Sequence, residues 1–125
     1  MAKGIVLLGH GSRARVDEAN LHLLEMVAVF KEKTGIEKVV PAWMNSKSGR
    51  PGLKEAAAEL AEAGCREIVV APWFLTDGLH IREDIPEIIG ELEKQYPEIR
   101  FAMARPMGAD PRLAEILMDR IREVS

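Results

Sequence analysis

The stretch Ile5-Val6-Leu7-Leu8-Gly9-His10-Gly11-Ser12-Arg13 decides the fold of this chain. Its first four residues are apolar, which predicts a short buried β-strand. The strand is followed by a histidine between two glycines, which carry no side chain and adopt backbone angles that other residues resist. We therefore expect the imidazole of His10 to be exposed at the end of a rigid strand, where ligands bind in open α/β sheets.

Strand-like and helix-like segments alternate along the rest of the chain. Helical spacing of apolar residues follows the first strand, with Leu21, Leu24, Val27, Ala28 and Phe30 between charged positions. The same reasoning predicts strands at 5–8, 37–44, 66–75 and 99–103, and helices at 16–34, 54–63, 84–95 and from 110 to the C-terminus. Strands that alternate with helices indicate a parallel sheet with right-handed crossovers.

The predicted fold is a three-layer α/β domain over residues 1–125, with a four-stranded parallel sheet and helices on both faces. For the strand order we assume 2-1-3-4, in which strands one and three are neighbours and the winding reverses between them. This reversal opens a crevice at the carboxyl ends of the strands. His10 follows strand one, and His80 lies in the predicted loop 76–83 after strand three. Both histidines would then face the same crevice.

Bulk properties restrict the function. The net charge of −3 argues against general binding of nucleic acids, which requires a basic surface. One cysteine, Cys65, allows no internal disulfide, and we expect it to be a small buried residue. The longest apolar runs have the length of strands, so we expect a cytoplasmic protein that does not bind membranes. A chain of 125 residues is short for enclosing a large substrate, so a second copy could complete the site.

The two loop histidines and a group of cationic residues are the candidates for binding a metal and a substrate. Neutral imidazole is a common ligand of Co²⁺, Ni²⁺, Fe²⁺ and Zn²⁺, and two imidazoles would hold such an ion loosely enough to release it. Cations near the predicted strand ends fit a polycarboxylate ligand, although each could be ordinary surface charge: Arg13, Arg15, Lys47, Arg50 and Arg82. The third histidine, His22, is interpreted as a surface residue that could pair weakly with Glu18.

The Gly-His-Gly sequence allows two other interpretations. Histidine phosphatases carry Arg-His-Gly after their first strand, but Gly9 stands in the place of that arginine and no further histidine follows strand four. A phosphoryl-transfer enzyme is therefore the weaker alternative. A GxxxxGK[ST] loop is absent from the sequence, so ATP binding of the P-loop type is excluded.

Three motifs together resemble a known family. The chain carries GHGSR at 9–13, P-x-F-L-x-x-G-x-H-x-x-x-D-I-P at 72–86, and P-x-G-x-x-P-x-L at 106–113. It resembles the short form of the CbiX-type sirohydrochlorin chelatases over nearly its whole length. The resemblance implies a lyase that inserts a divalent metal into sirohydrochlorin without ATP, with Co²⁺ for cobalamin expected first. Some relatives use Fe²⁺ for sirohaem or Ni²⁺ for coenzyme F430, so iron and nickel are alternatives to cobalt.

The resemblance also implies site residues and a partner. His10 and His80 match the two metal-binding histidines of the family, and His10 is assigned as both ligand and base. The candidate substrate-binding residues are Gly11, Ser12, Arg13, Asn45, Lys47, Arg50, Gly78, Leu79 and Arg82. The short form is expected to be one lobe of a homodimer, with the site between the lobes.

One position departs from the family pattern. Family members commonly carry an acidic residue shortly after strand two, where this chain has Asn45. If that acid assists proton transfer or metal binding, its absence could change the rate or the choice of metal. It also leaves open a carrier that binds the metal or the tetrapyrrole without catalysis.

Overall fold

A computed structural model describes the backbone of residues 3–11, 16–44, 51–76 and 78–125. The side chains at 16–19 and 79–81 lie outside what it describes. Strands and helices alternate over these residues. The strands are β1 (Lys3–Gly9), β2 (Val39–Trp43), β3 (Glu67–Pro72) and β4 (Arg100–Met103), and the helices are α1 (Val16–Thr34), α2 (Leu53–Glu62), α3 (Leu79–Gln95) and α4 (Pro111–Glu123).

The four strands form one parallel sheet in the order β2-β1-β3-β4, which confirms the predicted topology. The central strand β1 pairs along its length with both neighbours; Leu8 lies opposite Ala42 of β2 and opposite Pro72 of β3. The carboxyl ends of β1, β2 and β3 therefore meet at one edge, with the β1 end between the other two.

The two faces of the sheet bury separate apolar clusters. Val6 and Leu8 of β1 pack on the side of α2 and α3, in a cluster that includes Leu60 and Ile85. Ile5 and Leu7 point to the opposite side, where Leu23 and Val27 of α1 cover them. Because alternate residues of β1 enter different clusters, the continuous apolar run 5–8 is buried on both faces, as expected for a central parallel strand. Cys65 is fully buried, as predicted.

The buried residues of α1 differ from those that the spacing of its apolar residues predicted. Leu21 and Leu24 are exposed, whereas Asn20, Leu23 and Val27 are buried. These three buried residues follow the spacing i, i+3, i+7, which places them on one helical face. Among the described side chains, the face that meets the sheet thus includes one polar residue.

Helix α3 begins earlier than the sequence predicted. The expected start at Asp84, with Pro86 in the first turn, is wrong, since the helix begins at Leu79 after Gly78 as its N-cap residue. The amide of Arg82 already donates to the carbonyl of Gly78 at 3.2 Å, so a full turn forms upstream of the predicted signal. Pro86 lies inside the helix, and His80 belongs to the first turn of α3 rather than to a loop.

The last helix, α4, contributes no buried side chain. It starts as predicted, with Asp110 as N-cap residue and Pro111 at the first helical position. Three of its large apolar residues, Ile116, Leu117 and Ile121, are exposed. None of the described helices is both long and apolar enough to cross a membrane.

Candidate functional site

His10 stands at the end of the most extensively paired strand. The carbonyl of Leu8 accepts from the amide of Trp73 at 2.8 Å, and the carbonyl of Gly9 accepts from the amide of Met44 at 2.9 Å. These bonds tie the end of β1 to the segments that follow β3 and β2. The His10 side chain is exposed, which confirms the expectation from its flanking glycines.

The two flanking glycines are needed for different reasons. A Cβ on Gly9 would lie 2.9 Å from Cδ2 of Leu23, a contact distance that real Cβ atoms essentially never show. Gly9 therefore leaves room for Leu23 of α1 to pack against the end of β1. Gly11 has a φ of 86°, in the left-handed region that favours glycine.

A cavity of about 450 Å³ opens beside His10 at the carboxyl edge of the sheet. Its apolar walls come from three elements and include Leu23, Trp43, Trp73 and Phe74. Among the described residues, the polar side chains that line it are His10, Asn20 and His22. An apolar recess with a few convergent polar groups is the usual composition of a small-molecule site.

Each histidine of the cavity contacts one of two consecutive aromatic residues after β3. The ring of His10 meets Phe74 edge-on, with centroids 5.7 Å apart at 85°, and His22 lies 5.4 Å from Trp73 at 41°. Trp73 packs against the cluster on the α1 side, and Phe74 against the cluster on the other side. The segment 73–74 thus contacts one imidazole on each side of the sheet edge.

Asn20 is the one buried polar residue among the described side chains whose exposure is known. Only 8% of it is exposed, and neither Nδ2 nor Oδ1 has a hydrogen-bond partner in the described part of the chain. A buried polar group without a partner costs about 1–3 kcal/mol. Its Nδ2 and Oδ1 atoms are themselves inaccessible, so other atoms of the residue line the cavity.

The third motif is connected to this site through the backbone. The amides of Met107 and Gly108 donate to the carbonyls of Phe74 and Leu75 at 3.1 and 2.8 Å. The loop before α4 therefore holds the segment that carries the aromatic walls. At the start of α4, the guanidinium of Arg112 binds the carboxylate of Asp110 at 2.7 and 2.8 Å and, with the Arg112 backbone amide, holds the pKa of Asp110 well below its usual range.

The predicted site residues fall into three groups. His10 and Gly11 line the cavity. Gly78, Leu79, His80 and Arg82 lie at or near the start of α3, after the strand that neighbours β1, and Arg82 is exposed. The side chains of Leu79 and His80 are not described, so the pairing of the two imidazoles stays a prediction. Ser12, Arg13, Arg15, Asn45, Lys47 and Arg50 lie outside the described residues.

Sequence reasoning missed most of the cavity. Asn20, Trp43, Trp73 and Phe74 were not singled out, and His22 was interpreted only as a surface residue. His22 is indeed exposed, but it faces the same recess as His10. The spacing of Asn20 with Leu23 and Val27 was the available signal for the buried amide. Within the described residues, no group of three or more His, Cys, Asp or Glu side chains could hold a metal ion.

Comparison with known proteins identifies relatives over the whole chain. The family model described as CbiX matches residues 4–124. The chloroplastic sirohydrochlorin ferrochelatase of Arabidopsis thaliana is 38% identical over 121 residues, which are 97% of this chain and 52% of that protein. The sirohydrochlorin cobaltochelatase of Methanopyrus kandleri is 34% identical over 141 residues, covering 95% of this chain and 94% of that protein.

A solved structure shares the fold. The sirohydrochlorin chelatase SirB from Bacillus subtilis subspecies spizizenii, in complex with cobalt, superimposes with a TM-score of 0.87 at 24% identity. The match covers 99% of this chain and 51% of SirB. This chain thus spans about half the length of SirB and of the plant relative, but nearly the full length of the archaeal one.

Proposed function

This chain belongs to the CbiX family, and from that premise we propose that it is a sirohydrochlorin chelatase that inserts Co²⁺ into the ring without ATP. The observation that carries the proposal is the exposed imidazole of His10 at the mouth of an aromatic-walled cavity. The relatives named above as a cobaltochelatase and a ferrochelatase support the reaction class.

The residues can perform the steps that insertion requires. The divalent ion enters as a substrate, and two pyrrole N–H groups of the ring lose their protons as the metal–nitrogen bonds form. A neutral imidazole placed beside the ring nitrogens can accept such a proton. We assign His10 as ligand and proton acceptor, and His80 as the second ligand. Phe74 lies edge-on to the His10 ring.

The choice of cobalt is part of the proposal. Imidazole binds Co²⁺, Fe²⁺ and Ni²⁺ alike, and the relatives include both a cobalt and an iron enzyme. Cobalt is favoured because the archaeal cobaltochelatase matches this chain at nearly full length.

The cytoplasmic location stays a prediction from the sequence.

The test mixes the metal-free protein with sirohydrochlorin and each of the three ions and follows the absorbance of the ring. We expect the rate to exceed the spontaneous one, with Co²⁺ fastest. His10→Ala and His80→Ala should each lose most of the acceleration, whereas Glu25→Gln, an exposed change on α1, should keep it. Wild-type rates in both histidine variants would refute the site assignment.

A non-catalytic carrier is the second candidate, favoured by Asn45 where the family pattern has an acid. A carrier would bind sirohydrochlorin or the metal and leave the insertion rate at its spontaneous value. Asn45→Glu separates the two functions. In a chelatase whose lost acid assists proton transfer, the substitution should raise the rate, whereas a carrier should stay inactive.

We further propose that the chain acts as a homodimer through α4. Its exposed apolar residues include Ile116, Leu117 and Ile121, and none of its side chains is buried. The plant relative and SirB are each about twice as long as this chain. Two copies of this chain together would match that length, which supports a second copy as the partner that covers this face.

Light scattering on the eluted protein tests the dimer. The wild type should elute as a dimer and Leu117→Glu as a monomer, because a charge would be buried in the interface. Glu98→Lys, at an exposed position before β4, is the control and should remain dimeric. A monomeric wild type at assay concentration would contradict this proposal.

A further inference from the structure

Trp73 is a large aromatic side chain that the assigned chemistry leaves without a role. The chain has two tryptophans, and both line the cavity beside His10. Trp43 is only 5% exposed, whereas Trp73 is half-buried. Part of the Trp73 side chain is therefore uncovered where it lines the recess, and a flat apolar ligand would gain by covering it.

The position of Trp73 is set before any ligand arrives. Its amide donates to the carbonyl of Leu8 at 2.8 Å, so its backbone continues the pairing of β3 with β1. Its side chain packs against the apolar cluster on the α1 side of the sheet and lies 5.4 Å from the His22 ring. An aromatic side chain that is already held in place loses little conformational entropy when a ligand packs on it.

The indole of Trp73 and the imidazole of His10 suit different parts of one ligand. An indole is neutral and apolar, so it suits the conjugated face of a macrocycle, and it is not among the side chains that ligate divalent metals. His10 contacts Phe74, which packs on the other side of the sheet from Trp73. Removal of the indole should therefore weaken binding of a ring and leave binding of a metal ion unchanged.

We propose that Trp73 is a substrate-binding residue whose indole packs against the face of the tetrapyrrole. The identity of this ligand rests on the proposed function. A recess of about 450 Å³ lies in the lower part of the range for small-molecule sites, so it holds one edge of the macrocycle and leaves the rest outside. With that edge against Trp73, the ring meets His10 in the same recess.

Titration with metal-free sirohydrochlorin, followed by the absorbance of the ring, measures this contact without catalysis. Trp73→Leu keeps an apolar side chain and removes the aromatic face, so binding should weaken roughly 3- to 10-fold, the worth of an aromatic pair beyond its buried area. Trp73→Phe restores an aromatic face and should bind within about twofold of the wild type. Glu25→Gln, an exposed change on α1, is the control and should not alter binding.

Two further readouts separate a contact from a structural role. The affinity of the metal-free protein for Co²⁺ alone should be the same in Trp73→Leu and in the wild type. The two indole N–H signals in an NMR spectrum, assigned with Trp73→Phe, report contact directly because the ring current of a macrocycle acts only over short distances. Metal-free sirohydrochlorin should shift the Trp73 signal more than the Trp43 signal.

Four results would each overturn the proposal. Trp73→Leu could bind the ring as the wild type does, or Trp73→Phe could bind it as weakly as Trp73→Leu. The affinity of Trp73→Leu for Co²⁺ could fall as far as its affinity for the ring, or the Trp73 signal could shift no more than that of Trp43. A wild type that binds the ring as expected but inserts no metal would refute the chelatase alone.

Discussion

Replacing Gly9 with alanine tests the close packing that positions His10. The new Cβ would lie 2.9 Å from Cδ2 of Leu23 and 3.6 Å from Cδ1 of Trp43. Leu23 is only 1% exposed and sits in the packed core, so its side chain must move against its neighbours. Overpacking of this kind costs about 1–3 kcal/mol, and the loss of glycine's freedom in the unfolded chain returns about 0.4–1 kcal/mol. We expect Gly9→Ala to lower the free energy of unfolding by about 0.5–2 kcal/mol.

Gly90→Ala is the matched control because it adds the same methyl group. Gly90 lies inside α3, and an added Cβ there has no neighbour within 4 Å. Alanine is the better helix former, so this variant should gain about 0.5–1 kcal/mol. Urea denaturation and thermal melting measure both variants, and each kcal/mol corresponds to a shift in melting temperature of about 4 °C. Equal shifts of the same sign in the two variants would refute the packing argument.

Further predictions concern the α4 cap, the core and the aromatic wall. Because Arg112 depresses the pKa of Asp110 in the folded chain, the stability advantage of the wild type over Asp110→Ala should be complete at neutral pH and shrink as pH falls below the ordinary carboxyl value of 3.8, measured by thermal melts. Ile85→Ala removes a fully buried side chain and should cost about 2–5 kcal/mol in urea denaturation, whereas a change below 1 kcal/mol would contradict its core placement. Phe74→Leu keeps an apolar wall but loses the ring contact to His10, so metal insertion should slow by about 2- to 10-fold, and an unchanged rate would count against that contact.

The sheet was predictable because its signals are local and repeated. The apolar run 5–8 indicated a buried strand, and alternation with helices indicated parallel pairing. The Asp110-Pro111 pair likewise marked the start of α4 from two adjacent residues. By contrast, Asp84 and Pro86 gave a false start for α3, since the turn at Gly78 and Leu79 already supplies the first helical hydrogen bond.

The cavity was not predictable from the sequence because it depends on which faces meet. Trp43, Trp73 and Asn20 come from three elements, and only the packing of α1 on the sheet brings them together. The exposed Leu21 and Leu24 show that apolar character alone did not identify the packed face of α1. The position of His10 was predictable, since its glycines and the strand before it are consecutive in the chain.

The pairing of β1 on both edges has a consequence for how the protein moves. Its amides and carbonyls are bonded to β2 and β3 as far as the carbonyls of Leu8 and Gly9, so this strand opens only when the whole sheet comes apart. Deuterium should enter these amides last, and the main chain that carries His10 should stay fixed while a guest enters and leaves. Release of the product must then come from rotation of side chains or from the surrounding segments, and not from any retreat of the strand itself.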